Sequence, residues 1–427
     1  MDYKDTTDFL YSLYRHGIKL GLESISMVLQ DLGNPHEMFP SLHIGGTNGK
    51  GSTAAVLAHI LQASGLRVGL YTSPHLVDFR ERIRINGESI SALRVTTLTQ
   101  RLRALDPAPQ TFFEFTTAMA FAYFAEECID IAVIEVGMGG RFDATNVVTP
   151  HGVVITTIAH DHQQYLGTTL PEIAFEKAGI IKEGKPVIVG EVPPEASEVI
   201  RQVAKDKQAP YYELGSEFYV VPGSVDRFQY DGLSETYGDL SCALQGHHQM
   251  KNAACALALL ETVRDLTGGI PESIIRGSLA TVKWEGRAEI LGEYPTLMID
   301  GAHNPASATV LVEILGLMLR RKPEAQLIVV LGMMQDKDSQ SFFERFRSLV
   351  QSLILTPISV PRASSVSELK QQVPHDMCVT YESKSPAEAL VLAKRLAKPD
   401  DIICVTGSLF LAGEVRTLVK GEHSSCS

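Results

Sequence analysis

The 427-residue sequence predicts an α/β protein of two domains, the larger with a mostly parallel sheet plus a small antiparallel sheet. Short, nearly continuous apolar runs alternate with helical patterns, as in buried parallel strands joined by helices. The alternation is interrupted from residue 211 and restarts beyond residue 291, which predicts a smaller, C-terminal Rossmann-like α/β domain. A chain of this length also exceeds one ordinary hydrophobic core. We expect a boundary near 283–291, and the predicted domains are 1–287 and 288–427.

The first domain is predicted from apolar periodicity and from the positions of Gly and Pro. In order, we first expect a helix over 7–29 interrupted at Gly17 and Gly21, a strand over 42–44, a helix from 54 and a strand over 68–72. An irregular polar segment over 79–89 and helices over 93–105 and 112–127 are expected next. Strands are then expected over 129–136, 153–158 and 186–189, with helices over 171–181 and 194–206 between and after them. Residues 211–244 predict short antiparallel strands, and 247–263 and 271–282 predict helices.

The second domain repeats the alternation of strand and helix on a smaller scale. Apolar runs predict its strands over 296–299, 327–331, 353–356, 378–381 and 402–406. Amphipathic patterns predict its helices over 306–319, 339–350, 365–372, 386–396 and 410–419.

Composition excludes several classes of protein. The net charge is −12, which argues against a general nucleic-acid surface. No apolar run approaches 18 residues and the first residues are polar, so neither a membrane span nor a signal peptide is expected. The six cysteines are scattered without a Cys-x-x-Cys pair, which is typical of a reducing compartment and predicts a cytoplasmic protein.

Residues 42–52 carry the clearest functional signal in the sequence. An apolar strand leads into four glycines within seven residues, followed by a helix, a pattern that presents backbone N–H groups to phosphate. Lys50 adds a positive charge, and Ser52 offers a hydroxyl to the phosphate or to Mg²⁺. The hydroxyl comes one residue late for the usual phosphate loop, and Ile44 stands where that pattern has Gly. The alternative is a Gly-rich turn with a surface lysine.

Polar side chains follow two further predicted strands of the first domain. Glu135 ends an apolar strand before a Gly-rich turn, and a buried Glu at that place favours a metal ligand or a carboxylate bonded to loop amides. His160, Asp161 and His162 follow the next strand, where they can bind metal, position phosphate or serve as satisfied polar residues. Lys177 lies among apolar residues of a helix, a pattern that by itself favours a snorkelling surface lysine.

In the second domain, Asp300, His303 and Asn304 form a turn between a strand and a helix. Asn304 with Pro305 also fits a helix N-cap followed by Pro at the first helical position, and this reading is compatible with function. Gly407 and Ser408 end the last strand in a similar way. We therefore expect a composite site that draws on both domains.

Eight motifs in register identify a family. They are Gly-Gly-Thr-Asn-Gly-Lys-Gly-Ser at 45–52, Thr-Ser-Pro-His-Leu at 72–76, Phe-Phe-Glu-Phe-Thr-Thr at 112–117, Glu-Val-Gly-Met-Gly-Gly-Arg-Phe-Asp-Ala-Thr-Asn at 135–146, Asp-His-Gln at 161–163, Glu-Lys-Ala-Gly-Ile at 176–180, Asp-Gly-Ala-His-Asn-Pro at 300–305 and Thr-Gly-Ser-Leu-Phe at 406–410. The sequence closely resembles folylpolyglutamate synthase/dihydrofolate synthase, within the Mur-ligase superfamily, along nearly the whole chain.

The resemblance implies a P-loop ATPase domain and an activity. ATP would phosphorylate a carboxylate of dihydropteroate or of a (tetrahydro)folate polyglutamate, and L-glutamate would capture the acyl phosphate as an amide. The implied ligands are ATP, Mg²⁺ at two sites and a carbamylated Lys177, with a monovalent cation as a further candidate. The protein is expected to be a monomer with small-molecule partners and neither nucleic acid nor membrane.

The resemblance also implies roles for individual residues. Lys50, His162, Lys177 and His303 would be catalytic, and Ser73, Glu135, His162 and Lys177 would hold metal. ATP would contact Thr47, Asn48, Gly49, Lys50, Gly51, Ser52, Asn252, Arg287 and Asp300. Folate would contact Lys19, Leu20, Gly21, Phe113, Glu114, Phe142 and Asp143, and glutamate would contact His303 and Ser408.

Two alternatives remain at this point. A muramyl-peptide ligase or another Mur-type amide ligase would use the same chemistry, although the motifs at 72–76 and 112–117 favour folate. A non-catalytic nucleotide-binding switch is a different class of protein, and the full set of expected metal ligands argues against it.

Overall fold

The computed structural model describes residues 2–17, 21–105, 110–223, 226–360 and 362–424. The chain divides into two compact units. The larger unit comprises residues up to Ala243 together with His247–Lys283, and the smaller one comprises Leu244–Gly246 and the residues from Trp284 onward. The predicted boundary after Arg287 therefore falls within the smaller unit, because residues 284–287 belong to it.

The larger unit is built on an eight-stranded sheet with the order β4-β3-β2-β5-β1-β6-β7-β8. Its strands are β1 Ser41–Gly45, β2 Val68–Tyr71, β3 Ile83–Ile85, β4 Glu88–Ser89, β5 Ile131–Glu135, β6 Gly152–Ile155, β7 Val187–Val189 and β8 Tyr211–Glu213. The six strands from β2 to β8 in this order are parallel, and β3 and β4 add an antiparallel edge. β1, β5 and β6 lie at the centre and are buried along their whole length, as their apolar runs predict.

Eleven α-helices are described in the larger unit. They are α1 Tyr3–Ser12, α2 Glu23–Asp31, α3 Lys50–Ala63, α4 Ala92–Ala104, α5 Phe112–Glu126, α6 Gln163–Leu166, α7 Leu170–Ala178, α8 Pro194–Asp206, α9 His247–Thr262, α10 Arg264–Thr267 and α11 Glu272–Thr281. α5 packs in the apolar core on one side of the sheet, with Phe121 and Phe124 fully buried. Burial of a side chain of this size contributes about 2–3 kcal/mol, so α5 is a main support of the sheet.

The helical segment expected over 7–29 is interrupted as predicted, because the chain turns at Gly17, whose φ is 65°, and α2 begins only at Glu23. Two other expectations for the larger unit are wrong. The segment 79–89 contains a 3₁₀ turn and the short strands β3 and β4, which are too short to show a clear alternation. β8 pairs in parallel with β7 and belongs to the main sheet, so the antiparallel part begins later than residue 211.

The small antiparallel sheet has the order β11-β10-β9. Its strands are β9 Tyr219–Pro222, β10 Arg227–Asp231 and β11 Thr236–Ser241. The turn between β10 and β11 contains Gly232, as the Gly and Asp punctuation of this segment predicts.

The smaller unit has a six-stranded sheet with the order β12-β13-β17-β14-β15-β16. The strands are β12 Glu289–Glu293, β13 Thr296–Ile299, β14 Leu327–Leu331, β15 Val350–Leu355, β16 Val379–Glu382 and β17 Ile402–Thr406, and the helices are α12 Pro305–Arg321, α13 Ser339–Phe346, α14 Val366–Gln372, α15 Pro386–Leu396 and α16 Leu409–Ser424. All strands except β12 are parallel, and β17 inserts between β13 and β14. The predicted α/β fold of this unit is confirmed. The strand β12, which begins in the expected boundary segment 283–291 and ends beyond it, was missed.

None of the helices in the described ranges is long and apolar enough to cross a membrane.

Candidate active site

The Gly-rich loop follows β1 at the centre of the larger sheet, between β5 and β6. Gly46 has a φ of 133° and Gly49 a φ of 87°, conformations that side-chain-bearing residues rarely adopt. α3 begins directly after Gly49, so its unpaired N–H groups and positive dipole end face the loop. This geometry is suited to an anion such as a phosphate chain.

The loop is held by the residues that follow β6. The Thr47 N–H donates to the Thr157 carbonyl at 2.7 Å, and the Asn48 N–H donates to Thr157 Oγ1 at 3.0 Å. Thr156 Oγ1 donates in turn to the Asn48 carbonyl at 2.6 Å. The loop is therefore fixed by a neighbouring strand end. The sequence analysis missed Thr156 and Thr157, although two hydroxyls at a strand's carboxyl end were a usable signal.

Lys50 and Lys177 converge on one backbone group. Their Nζ atoms donate to the Gly46 carbonyl oxygen at 3.1 Å and 3.0 Å, respectively. Lys177 is only 4% exposed, so its reading as a surface lysine is wrong. Burial, assisted by the charge of Lys50, lowers the pKa of Lys177 to about 7, while the charges of Asp161 and Asp143 act in the opposite direction. The amines of Lys50 and Lys177 therefore meet at the start of the phosphate loop, and the carboxylates of Asp161 and Asp143 lie close enough to act on Lys177.

Ser73 and Glu135 meet at the carboxyl ends of β2 and β5. The Ser73 N–H donates to Glu135 Oε2 at 3.0 Å. The carboxylate therefore accepts a hydrogen bond from a loop amide, which is one of the two roles that the sequence predicts for Glu135. Glu135 is buried, with 5% exposure, at the point where parallel sheets bind ligands. Within the described ranges, no three His, Cys, Asp or Glu side chains converge as a metal-binding group. A carboxylate and a hydroxyl still fit Mg²⁺, which takes one or two protein oxygens and completes its shell with phosphate and water.

His162 lies at the end of the turn that follows β6. This turn touches the phosphate loop, since the Ala159 N–H donates to Thr47 Oγ1 at 3.0 Å. His162 has a φ of 50°, and its own N–H donates to Asp161 Oδ1 at 2.9 Å. The charge of Asp161 acts on Lys177. Its place after β6 makes Asp161 a possible metal ligand, although it is not among the predicted site residues.

Two of the residues expected to bind folate lie on α5. An added Cβ at Gly137 would be 2.5 Å from the Phe113 ring, so the loop after β5 runs directly against Phe113. The Phe113 ring also stacks on Tyr71, with centroids 6.0 Å apart. Glu114 is buried and accepts the Thr111 N–H at 2.7 Å in a capping box, which gives its carboxylate a structural role at the start of α5.

Asp143 organises the loop after β5. It accepts the Met138 N–H at 2.9 Å and the Thr145 N–H at 3.0 Å, and burial raises its pKa above the usual range. Phe142 is partly exposed and lies beneath the Arg141 guanidinium, 4.4 Å from the ring centroid. Gly21 has a φ of 134°, and the expected folate contacts Lys19 and Leu20 lie outside the described residues.

Asn252, one of the residues expected to bind ATP, lies beside the phosphate loop on α9. An added Cβ at Gly49 would be 2.5 Å from Asn252 Oδ1. The Asn252 side-chain amide donates to Gln249 Oε1 at 2.9 Å, which fixes its orientation. Gly49 is therefore required here both for its backbone conformation and for the space that Asn252 occupies.

In the smaller unit, Asp300 follows β13 and receives two backbone N–H groups. Ala288 donates to Oδ2 and Ala302 donates to Oδ1, both at 2.8 Å. Burial raises the pKa of the Asp300 carboxyl, whereas the nearby Arg287 guanidinium lowers it. Arg287 lies against the Gly301 backbone, so two of the predicted adenosine contacts are neighbours in this unit.

His303 and Ser408 lie on adjacent turns of the same unit. The Gly407 N–H donates to the Ala302 carbonyl at 2.9 Å and joins the two turns. His303 Nδ1 lies 2.9 Å from the Gly301 carbonyl, which can only accept, so Nδ1 carries a proton. Asn304 accepts the Ser307 N–H and caps α12, which confirms the N-cap reading, and Ser408 Oγ accepts the Phe410 N–H at the start of α16.

The fold and the loop define the class of protein. Residues 44–260 match the Mur ligase middle domain, and residues 286–409 match the Mur ligase glutamate ligase domain. The two matches lie mainly in the larger and the smaller unit, respectively, and both belong to Mur ligases.

Whole-chain relatives identify the particular family. A dihydrofolate synthase/folylpolyglutamate synthase of Bacillus subtilis is 34% identical over 98% of this chain and 99% of its own. A Mycobacterium tuberculosis folylpolyglutamate synthase complexed with ADP has a TM-score of 0.89 at 34% identity, covering 98% and 99% of the two chains. A bifunctional folylpolyglutamate synthase/dihydrofolate synthase of Yersinia pestis, complexed with AMPPNP and Mn ion, has a TM-score of 0.87 at 30% identity over 98% of both. The chain belongs to the folylpolyglutamate synthase/dihydrofolate synthase family, as its eight motifs predict.

Proposed function

We propose that this chain is an ATP-dependent acid–amino-acid ligase that adds L-glutamate to dihydropteroate, to (tetrahydro)folate polyglutamates, or to both. The observation that carries this proposal is the arrangement around Gly46: a glycine-lined anion loop, two lysines on one carbonyl, and a buried Glu at the next strand end. It occurs in a chain that matches ligases of this activity along their whole length.

The chemistry explains why such a site is needed. A carboxylate is a poor electrophile, so one of its oxygens must become part of a leaving group. That oxygen attacks the γ-phosphorus of ATP, and ADP leaves. The neutral amine of glutamate then attacks the carbonyl carbon, and the tetrahedral intermediate loses a proton from its nitrogen and expels phosphate to form the amide. Lys50 and the backbone amides of Gly49, Gly51 and Ser52 hold the phosphate chain through these steps. The N–H groups of Thr47 and Asn48 are already engaged, because both donate to Thr157.

A divalent cation fits the donor set at the ends of β2, β5 and β6. Ser73 and Glu135 would hold one Mg²⁺, and His162 with Glu135 would hold a second. When bound, the metal supplies positive charge that reduces the repulsion between the triphosphate and the acceptor carboxylate. The complex of the Yersinia pestis relative with Mn ion supports a divalent metal in this family. A monovalent cation is a further candidate ligand.

Lys177 is proposed to act as a carbamate. Its amine is buried beside Lys50, and a pKa of about 7 leaves much of it neutral at physiological pH. A neutral amine adds to CO₂ and releases a proton, and the product is an anion with two oxygens. This reaction would replace an unfavourable buried cation by a group that can bind metal beside the phosphate loop.

The remaining roles follow the family resemblance and the neighbours described above. Asn252, Arg287 and Asp300 are proposed to contact adenosine, and His303 and Ser408 to contact glutamate. Gly21, Phe113, Glu114, Phe142 and Asp143, with Lys19 and Leu20, are proposed for the folate side. We also propose a monomer in the cytoplasm, where the free thiols of the described cysteines would persist.

The proposed function is tested by product mass. The protein is incubated with ATP, Mg²⁺ and L-glutamate, with dihydropteroate or tetrahydrofolate as separate acceptors. We expect an increase by one glutamyl residue in at least one acceptor, with stoichiometric phosphate release. The proposal would be refuted if no glutamylated product formed and if phosphate release continued when glutamate and the acceptor were both omitted. That result would favour a nucleotide-binding switch.

A further inference from the structure

His75 is part of the Thr72–Leu76 motif, yet the proposed mechanism gives it no role. It follows β2, two residues after Ser73. The turn that carries it is fixed, because the Glu81 carboxylate accepts the N–H groups of Leu76 at 2.7 Å and Asp78 at 2.9 Å. His75 is therefore held in one place, two residues along the chain from the expected metal ligand Ser73.

The neighbour of His75 determines which ring nitrogen carries the proton. Arg82 Nε lies 2.8 Å from His75 Nδ1. A guanidinium nitrogen can only donate, so Nδ1 must accept and the single proton of the neutral ring lies on Nε2. Arg82 is buried and cannot easily turn away, and its carbonyl accepts the Thr72 N–H at 3.0 Å. The structure thus fixes His75 as an Nε2–H donor.

The surroundings of this donor are aromatic. The His75 ring lies 6.2 Å from the Tyr11 ring and 6.3 Å from the Phe79 ring. Phe112 completes the group beneath the Arg82 guanidinium, which is 5.0 Å from the ring centroid. His75 Nε2 is 3.5 Å from the Tyr11 hydroxyl, a weak contact that a bound acceptor atom can replace. An aromatic wall with one N–H donor suits an acid whose carboxylate is joined to a benzene ring.

We propose that His75 is a further catalytic residue, whose Nε2–H donates a hydrogen bond to the acceptor carboxylate before that carboxylate attacks ATP. Arg82 is the positioning residue that fixes the tautomer. A neutral donor orients the carboxylate without forming an ion pair, so the attacking oxygen keeps most of its charge and its nucleophilicity. This inference rests on the proposed function. It adds one contact between the protein and the carboxylate of the molecule that receives glutamate.

A spectroscopic test uses the wild-type protein labelled with ¹⁵N-histidine, with His75→Gln to assign the signals. We expect an unprotonated Nδ1 and a protonated Nε2 in His75. Addition of dihydropteroate without ATP should shift the Nε2 signal, whereas an analogue with a methyl group in place of the carboxylate, which has no acceptor atom there, should leave it nearly unchanged. A proton on Nδ1, or an Nε2 chemical shift that does not change when dihydropteroate is added, would overturn the proposal.

A kinetic test compares His75→Gln, which keeps an N–H donor at a similar distance, with His75→Leu, which has none. We expect Leu to lower kcat/KM for the acceptor about 10- to 100-fold, the value of a hydrogen bond to a charged group, with the KM for ATP unchanged and Gln restoring much of the loss. His59→Leu, at a histidine bonded to Thr281 on another surface, is the control.

The outcomes separate the two proposals. Wild-type kcat/KM in His75→Leu, or an equal loss in the Gln and Leu variants, would refute the role of His75 while the ligase activity stands. Absence of glutamylated product with the wild-type protein would instead refute the proposed function itself.

Discussion

Lys177 carries an amine that is buried within the larger unit, beside the cationic Lys50. We predict that Lys177→Ala lowers kcat by at least about a hundredfold, the usual cost of losing a group positioned at developing charge. The Gly46 carbonyl keeps Lys50 as a donor in this variant, so the fold should persist. Circular dichroism and steady-state kinetics check both parts, and near-normal turnover would eliminate the carbamate.

The same residue predicts a pH dependence of stability. In CO₂-free buffer, Lys177 has a pKa of about 7 in the folded protein and about 10.5 when unfolded. Between these values the unfolded chain binds more protons, so the free energy of unfolding should rise with pH. Urea denaturation from pH 7 to 9 should show this rise in the wild type relative to Lys177→Met. Parallel curves for the two proteins would contradict the lowered pKa.

At the scale of elements, the β1–loop–α3 unit depends on Gly46. A Cβ there would collide with Thr156 Oγ1 and lie 2.9 Å from the Thr156 N–H nitrogen, in a residue whose φ is 133°. We predict that Gly46→Ala displaces the loop, costs about 1–3 kcal/mol of stability and abolishes measurable ATP binding.

Gly65→Ala is the matched control for the loop, because Gly65 has a φ of 98° but no atom within 4 Å of an added Cβ. The stability of this variant should fall only because alanine is strained at a positive φ, while its ATP affinity, measured by calorimetry, stays at the wild-type value. Equal ATP affinity in the Gly46 and Gly65 variants would show that the contact with Thr156 does not shape the loop.

The elements that were predicted correctly are those whose burial is visible in the local sequence. Apolar runs identified β5 and β6, and Asn304 with Pro305 marked the start of α12. β3 and β4 escaped detection because they are short and polar. β8 lies in a segment that was predicted as strand, but its parallel pairing with β7 was not predicted, because the local pattern does not show on which strand it pairs. Position along the strands also predicted Lys50 and Glu135, since both follow apolar runs at the centre of the sheet.

Other site residues depend on contacts that local patterns do not contain. The helix around Lys177 favours a surface lysine, and only the Gly46 carbonyl, 131 residues away, explains its burial. Thr156 and Thr157 are defined as loop supports by Thr47 and Asn48, which precede them by more than 100 residues. The family resemblance supplied Lys177, because a whole-chain match carries information about distant partners.

The whole molecule consists of two α/β units, each with polar side chains at the carboxyl ends of its parallel strands. The larger unit holds the anion loop, and the smaller unit holds Asp300, His303 and Ser408. The central claim is that ATP converts the acceptor carboxylate into an acyl phosphate. In that reaction, one oxygen of the carboxylate leaves as part of inorganic phosphate.

The most direct measurement therefore follows that oxygen. The acceptor that proves active, prepared with an ¹⁸O-labelled carboxylate, is incubated with ATP and L-glutamate, and the released phosphate is analysed by mass. We predict one ¹⁸O atom in each phosphate released with product. Glutamylated product accompanied by unlabelled phosphate would contradict the acyl-phosphate route and the account built on it.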